Sequence, residues 1–106
     1  MVSVSEVVKT WQEGFANKDS SKLGEFFTDD FRFVSNVRDI GKQETLDWTA
    51  TGEMAIDNIE VIYENDEVAA VYHDVQSANA AVGTKAMCVG SKRDGKFSVW
   101  RVASAG

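Results

Sequence analysis

Apolar residues at Val4, Val8, Trp11 and Phe15 recur at i, i+4, i+7 and i+11, the spacing of one face of an amphipathic helix. Ser3 with Glu6 three residues later fits a capping box at its start, and Ser5 is an equal alternative. Gly14 inside this helix costs about 1 kcal/mol against alanine, so a close neighbour or a pocket at that turn would account for it. The polar stretch Asn17-Lys18-Asp19-Ser20-Ser21 breaks the pattern. A second, short helix with Leu23, Phe26 and Phe27 on its apolar face is expected after it. Thr28-Asp29-Asp30 reads as a turn. Phe31, Phe33, Ser35 and Val37 alternate with Arg32, Val34 and Asn36, which predicts a strand. Gly41 opens a third helix from Lys42 to about Ala50, closed by Thr51-Gly52.

The second half is β in character. Residues Ile56 to Glu64 and Glu67 to Gln76 are rich in β-branched and aromatic side chains, with Asn65-Asp66 as a two-residue turn between them. Ser77 to Gly83 is a loop of small residues. Lys85 to Lys92 and Phe97 to Ala103 form a second hairpin about Asp94-Gly95, a pair suited to the positive φ angles of a type I′ turn. The order ααβα followed by four meandering strands is an α+β pattern in a single domain, residues 1–106.

Charge narrows the partners. With 11 Lys and Arg against 17 Asp and Glu, the net charge is −6, which argues against nonspecific binding to nucleic acid or to an anionic membrane. One cysteine, Cys88, excludes an internal disulfide, a four-cysteine zinc site and a CxxC motif, and suits a cytoplasmic location. The start lacks a signal peptide's basic and apolar regions, and no apolar run is long enough to span a membrane. No P-loop, GxGxxG or HExxH is present, so no cofactor is implied. Residues 43–84 hold nine acids and no Lys or Arg, whereas residues 85–101 hold five bases and one acid. That contrast fits either cross-strand pairing on a solvated surface or complementarity across a homodimer.

Four segments resemble the nuclear-transport-factor-two-like superfamily, and within it the small bacterial SnoaL-like (polyketide-cyclase-like) branch. They are the leading helix with Trp11 and Phe15, the run from Leu23 through Phe26-Phe27-Thr28-Asp29-Asp30 to Phe33, Gly41-Lys42 with Leu46 and Trp48, and Asp94-Gly95-Lys96-Phe97 before Trp100. The resemblance implies three N-terminal helices packed in a curved, mainly antiparallel sheet, a cystatin-like roll enclosing a cone-shaped cavity. Many members are homodimers, and apolar residues on both sheet faces point to a homodimer joined through the sheet. The scaffold hosts isomerases, dehydratases, cyclases, hydrolases and non-catalytic adaptors, so it does not choose among them. Where ketosteroid-isomerase-like members carry a base Asp, this chain offers Ser35 or Asn36, and Thr84-Lys85-Ala86 supplies no acid before the last hairpin. Dehydratase-like members use paired histidines, and this chain has only His73.

The candidate chemistry depends on strand register. A two-residue Asn65-Asp66 turn puts Asp57, Ile59, Val61, Tyr63, Val68, Ala70, Tyr72 and Asp74 on one face, the more apolar one, expected to face the helices. The loop before the last hairpin leaves two registers open. In one, Tyr72, Asp74 and Arg101 line the same side as an acid, base and orienting cation for proton transfer α to a carbonyl. In the other, Arg101 joins His73 and Trp100 joins Tyr72. His73 is a weaker candidate base, with no second metal ligand at useful spacing, so no metal site is expected. Cys88 reads as a small buried hydrophobe. Trp11, Phe15, Phe33, Trp48, Met87 and Trp100 are the expected lining of a ligand pocket, and core packing is the alternative for each. The leading expectation is binding of a small apolar organic molecule in the cavity. A cofactor-free lyase or isomerase using Asp74, Tyr72 and Arg101, and a homodimeric interaction module with its cavity filled by its own aromatics, are the rivals.

Overall fold

The computed structural model describes residues 2–52, 54–77 and 84–105. The chain runs through helix α1 (Val4–Asn17), a single 3-10 turn (Leu23–Phe26), strands β1 (Phe27–Val34) and β2 (Asp39–Gly41), helix α2 (Lys42–Thr51), and strands β3 (Met54–Glu64), β4 (Val68–Ser77), β5 (Thr84–Arg93) and β6 (Lys96–Ala105). The strands form one mixed sheet in the order β2-β1-β6-β5-β4-β3, parallel only between β1 and β6. The expected loop over residues 78–83 lies outside the described residues.

Helix α1 follows its apolar stripe. Ser3 caps it through the Glu6 amide, and Lys18 in the left-handed region ends it. Its buried face, including Val4, Val7, Val8, Trp11 and Phe15, packs over the inner face of the sheet. Gly14 lies where α1 meets α2: a Cβ there would be 3.0 Å from the Thr49 methyl and from the Asp19 carbonyl oxygen. Close approach of two elements is thus the reason for that glycine.

Three expectations are corrected. Among the described residues there are two α-helices and not three, because the segment after the polar break is only one 3-10 turn. Four residues are too few to propagate an α-helix. The chain extends at Phe27 instead, and Thr28-Asp29-Asp30 belongs to β1, in which a bulge lets Phe27 and Phe31 stack at 3.8 Å, both fully buried. Strand β2 was not expected; it folds back antiparallel on β1, with Arg32 bonded to Asp39.

The third correction concerns the faces. Asn65 does not join a two-residue hairpin: Glu64 pairs with Ala69, and the Asn65 side chain accepts from the Glu67 and Val68 amides at 2.8 Å. Two bulges in β3 then return Asp57 to a pairing with Asp74. Asp94-Gly95 is a two-residue turn with φ of 54° and 78°, but a bulge at Ser91/Lys92 sets Cys88 opposite Val102 and Gly90 opposite Trp100. The inner face therefore carries Ala69, Val71 and His73 of β4, with Ala86, Cys88 and Gly90 of β5. Tyr72 and Asp74 point outward, contrary to the expectation from apolarity. The rings of Trp11, Phe97 and Trp100 fill the space beneath the sheet, so the central strands present small side chains to them. At Gly90 a Cβ would lie 2.5 Å from the Phe97 ring and 2.8 Å from Trp100.

Candidate functional site

Between α1, α2 and the inner face of the sheet lies a cavity of about 170 Å³. Its walls are aromatic and aliphatic, with Trp11, Phe15, Phe33, Trp48 and Trp100 around it and Ile56, Val75, Ala86 and Val102 between them. Edge-to-face and tilted contacts lock the rings together: Trp11 meets Phe33 at 5.7 Å and Trp100 at 5.5 Å, and Trp48 meets Phe15 at 5.2 Å and Phe33 at 5.3 Å. The Trp11 indole donates to the Thr49 hydroxyl at 3.0 Å, which fixes the ring from the α2 side.

Two polar features break this apolar wall. One is His73, which is buried with only 6% of its surface exposed. Its Nδ1 lies 3.2 Å from the Asp74 carbonyl oxygen and its Nε2 lies 3.4 Å from the Cys88 sulfur. A carbonyl only accepts, so Nδ1 carries the proton and Nε2 presents its lone pair to the thiol. Burial pushes the imidazole pKa below its ordinary value, against smaller opposing contributions from the Asp74 backbone and carboxylate, so the ring is neutral at pH 7. Burial likewise pushes the Cys88 thiol up to about 12, eased in part by a hydrogen bond with Trp100. Cys88 is therefore a thiol, not a nucleophilic thiolate.

The other polar feature is the turn between β1 and β2, where Ser35, Asn36, Val37 and Arg38 form the remaining wall. Ser35 organises it. Its amide donates to the Arg38 carbonyl at 2.7 Å, and its hydroxyl accepts from the Val37 and Arg38 amides at 3.2 and 3.0 Å. The Arg38 guanidinium rests over the Trp48 ring, 4.4 Å from its centroid. Sequence reasoning weighed Ser35 and Asn36 only as replacements for a missing base, and passed over Arg38 altogether. Its one signal was a basic residue beside the apolar Val37 at the end of a strand.

The set Asp74, Tyr72 and Arg101 does not converge in the cavity. All three are on the outer face, in successive rows: Arg101 opposite Val89, Tyr72 opposite Met87, and Asp74 opposite Lys85. Asp74 and Arg101 are thus two rows apart, about 13 Å along the strands. Asp74 is held by Lys85 and Asn58, which keep its carboxyl below the usual carboxylate range. Met87, expected in the pocket, is also on the outer face and 40% exposed: with the Ser91/Lys92 bulge it falls in the row of Tyr72 and Ala103 and not in that of Trp100. Among the described residues, no group of three or more His, Cys, Asp or Glu is placed to hold a metal ion. None of the helices there is long and apolar enough to cross a membrane.

The sheet order, with two helices over one face and a cavity beneath them, matches many solved structures. An NTF2-like protein of unknown function from Cytophaga hutchinsonii superposes with a TM-score of 0.80 at 8% identity, over 99% of this chain and 92% of that one. This chain has the nuclear-transport-factor-two-like fold. A candidate ketosteroid isomerase from Kribbella flavida gives 0.75 at 11% identity, over 95% of this chain and 76% of that one. A candidate polyketide cyclase from Sinorhizobium meliloti gives 0.74 at 16% identity, over 92% and 94%. No protein-family model matches the sequence, and no curated protein matches it significantly. At these identities the likeness is one of fold, and the nuclear-transport-factor-two-like scaffold leaves the activity to be argued from the cavity.

Proposed function

We propose that this protein binds a small, largely apolar organic molecule in the cavity between its helices and the inner sheet face. The observation that carries the reading is an unfilled space of about 170 Å³ walled by interlocked aromatic rings, with one buried imidazole in the wall. A dry cavity of roughly 150 Å³ accommodates benzene, so the volume suits a ligand of one or two rings and not a four-ring steroid. The space also weighs against an interaction module plugged by its own aromatics.

The test is a size series followed by tryptophan fluorescence, since Trp11, Trp48 and Trp100 all border the space. One-ring and two-ring ligands are expected to give saturable changes and four-ring ligands none. A response independent of ligand size would contradict the reading.

A second reading, cofactor-free proton transfer, is supported by His73 rather than by Asp74, Tyr72 and Arg101. The neutral imidazole, with Nδ1–H fixed on the Asp74 carbonyl, offers Nε2 as a base inside an apolar site once a ligand displaces its contact with the Cys88 thiol. It would take a proton α to a carbonyl and return it at another carbon, with no net redox change. Loss of deuterium exchange from a bound ketone in His73→Gln, with binding retained, is the expected result; unchanged exchange would refute it.

Self-association through the outer face completes the proposal. Tyr63, Met87 and Val89 are 57%, 40% and 40% exposed on adjoining rows of that face. Sedimentation at micromolar concentration is expected to show a dimer and Val89→Lys a monomer; a monomeric parent protein would contradict this. The lone thiol supports a cytoplasmic location.

A further inference from the structure

Seventeen acids and eleven bases are spread over this chain, yet among the described residues the cavity wall carries no carboxylate and a single charged side chain, Arg38. The other titratable wall residues, His73 and Cys88, are neutral at pH 7. Among the described residues Arg38 enters no ion pair, because the neighbouring Asp39 carboxylate is taken by Arg32. The guanidinium is nevertheless held in place. The Ser35 hydroxyl and amide fix its backbone, and its guanidinium carbon lies over the Trp48 ring, 4.4 Å from the centroid. A guanidinium held over a ring keeps edge N–H donors, whose fork geometry matches a carboxylate. Asn36, in the same turn, also lines the cavity.

We propose that Arg38 is the anion-recognising group of this cavity, and that its ligand is a small one-ring carboxylic acid, bound ionised. The ring sits among Trp11, Trp48 and Trp100, and the carboxylate meets the guanidinium edge at the mouth. This rests on the ligand-binding reading above and names its ligand class. The physical logic is selective. A protein of net charge −6 repels an approaching anion in general, so a cation on a cavity wall where no described residue is acidic gives the anion a favourable site. An ammonium ligand meets a like charge there, and a neutral one gains no charge–charge attraction from it.

The test is calorimetric titration of the full chain at pH 7 with phenylacetate, its neutral analogue phenylacetamide, and phenethylamine. Phenylacetate is expected to bind about ten-fold tighter than the amide, the span of a charge-assisted hydrogen bond at a partly exposed site, and the amine weakest. Arg38→Gln is expected to erase that ten-fold preference by weakening phenylacetate more than the amide, and Arg38→Lys to restore part of it. High salt is expected to weaken phenylacetate alone. Equal affinities for the three probes, or an Arg38→Gln variant that lowers acid and amide binding alike, would overturn the anion role and leave the cavity reading standing. Inorganic phosphate displacing phenylacetate as well as an unlabelled ring acid does would overturn the ring-acid class. Absence of binding by all three probes would overturn the cavity reading and this proposal with it.

Discussion

Gly90→Ala is the sharpest structural perturbation available, because one methyl group collides with the two rings that support the cavity. The added Cβ would sit 2.5 and 2.6 Å from Phe97 ring carbons and 2.8 Å from Trp100. Ordinary carbon contacts are about 3.5–4.0 Å, so the overlap is close to 1 Å. Phe97 is fully buried and Trp100 is 3% exposed, so neither ring can swing into solvent. Overpacking of this kind typically costs 1–3 kcal/mol, and a clash with two confined rings belongs at the upper end, about 3 kcal/mol. For a domain near 100 residues, each kcal/mol shifts Tm by roughly 4–8 °C, so a fall of about 12 °C or more is expected. Urea unfolding followed by circular dichroism should show a lower midpoint with an unchanged slope. Because Trp100 is part of the cavity wall, ligand affinity should fall as well. A Tm within 2 °C of the parent protein's would refute the reasoning that packing forces glycine at this position.

Other outcomes follow from single groups. Glu64 accepts from the Val4 amide at 2.6 Å and from Lys92 at 2.8 Å, and the Lys92 side chain is only 3% exposed, so Glu64→Gln strands a buried ammonium. With Glu64 itself a quarter exposed, the loss should be about 2 kcal/mol by urea unfolding, and no loss would contradict the clasp. The His73 pKa is lower folded than unfolded, so the unfolded chain takes up the proton first and stability falls as pH drops below about 6.5. His73→Gln should flatten the stability profile just below about pH 6.5, above the window of Asp30 and Asp74, whose lowered pKa values act as pH falls through the acid range. Identical profiles for the two proteins would refute the buried, neutral imidazole. Cys88, buried and with its thiol pushed up to about 12, should resist alkylation at pH 8 in the native protein and react within minutes in denaturant. Fast native labelling would contradict this assignment.

Most of the fold was legible because its signals are local. The spacing from Val4 to Phe15, the polar break before Ser20, Gly41 ahead of α2 and the Asp94-Gly95 turn each specify backbone by themselves. The candidate site was half legible. The aromatic residues of α1, β1, α2 and β6 could be named without knowing which strands neighbour which. The polar residues could not, because period-2 alternation makes every side chain's face depend on the bulges between it and the turn. The bulge at Ser91/Lys92 and the two in β3 left no mark in composition. Apolar content also misled. On β4 and β5 the buried face carries Ala69, Ala86 and Gly90, with Gly90 against the rings of Phe97 and Trp100, so on these two strands the larger Tyr72, Met87 and Val89 lie on the outer face. Arg38 was illegible for another reason: its role comes from Trp48, ten positions away and on a different element.

The central claim is that the space among Trp11, Trp48 and Trp100 is a ligand site and not a packing remnant. Val102 borders it and packs against the core, so Val102→Phe places a ring where a ligand ring would lie. Calorimetric titration of a one-ring ligand into the parent protein and this variant tests the claim most directly, with thermal unfolding as the check on folding. The account predicts saturable binding to the parent protein and none to a variant whose Tm is equal or higher. Equal affinity for both proteins would place the ligand elsewhere and contradict it.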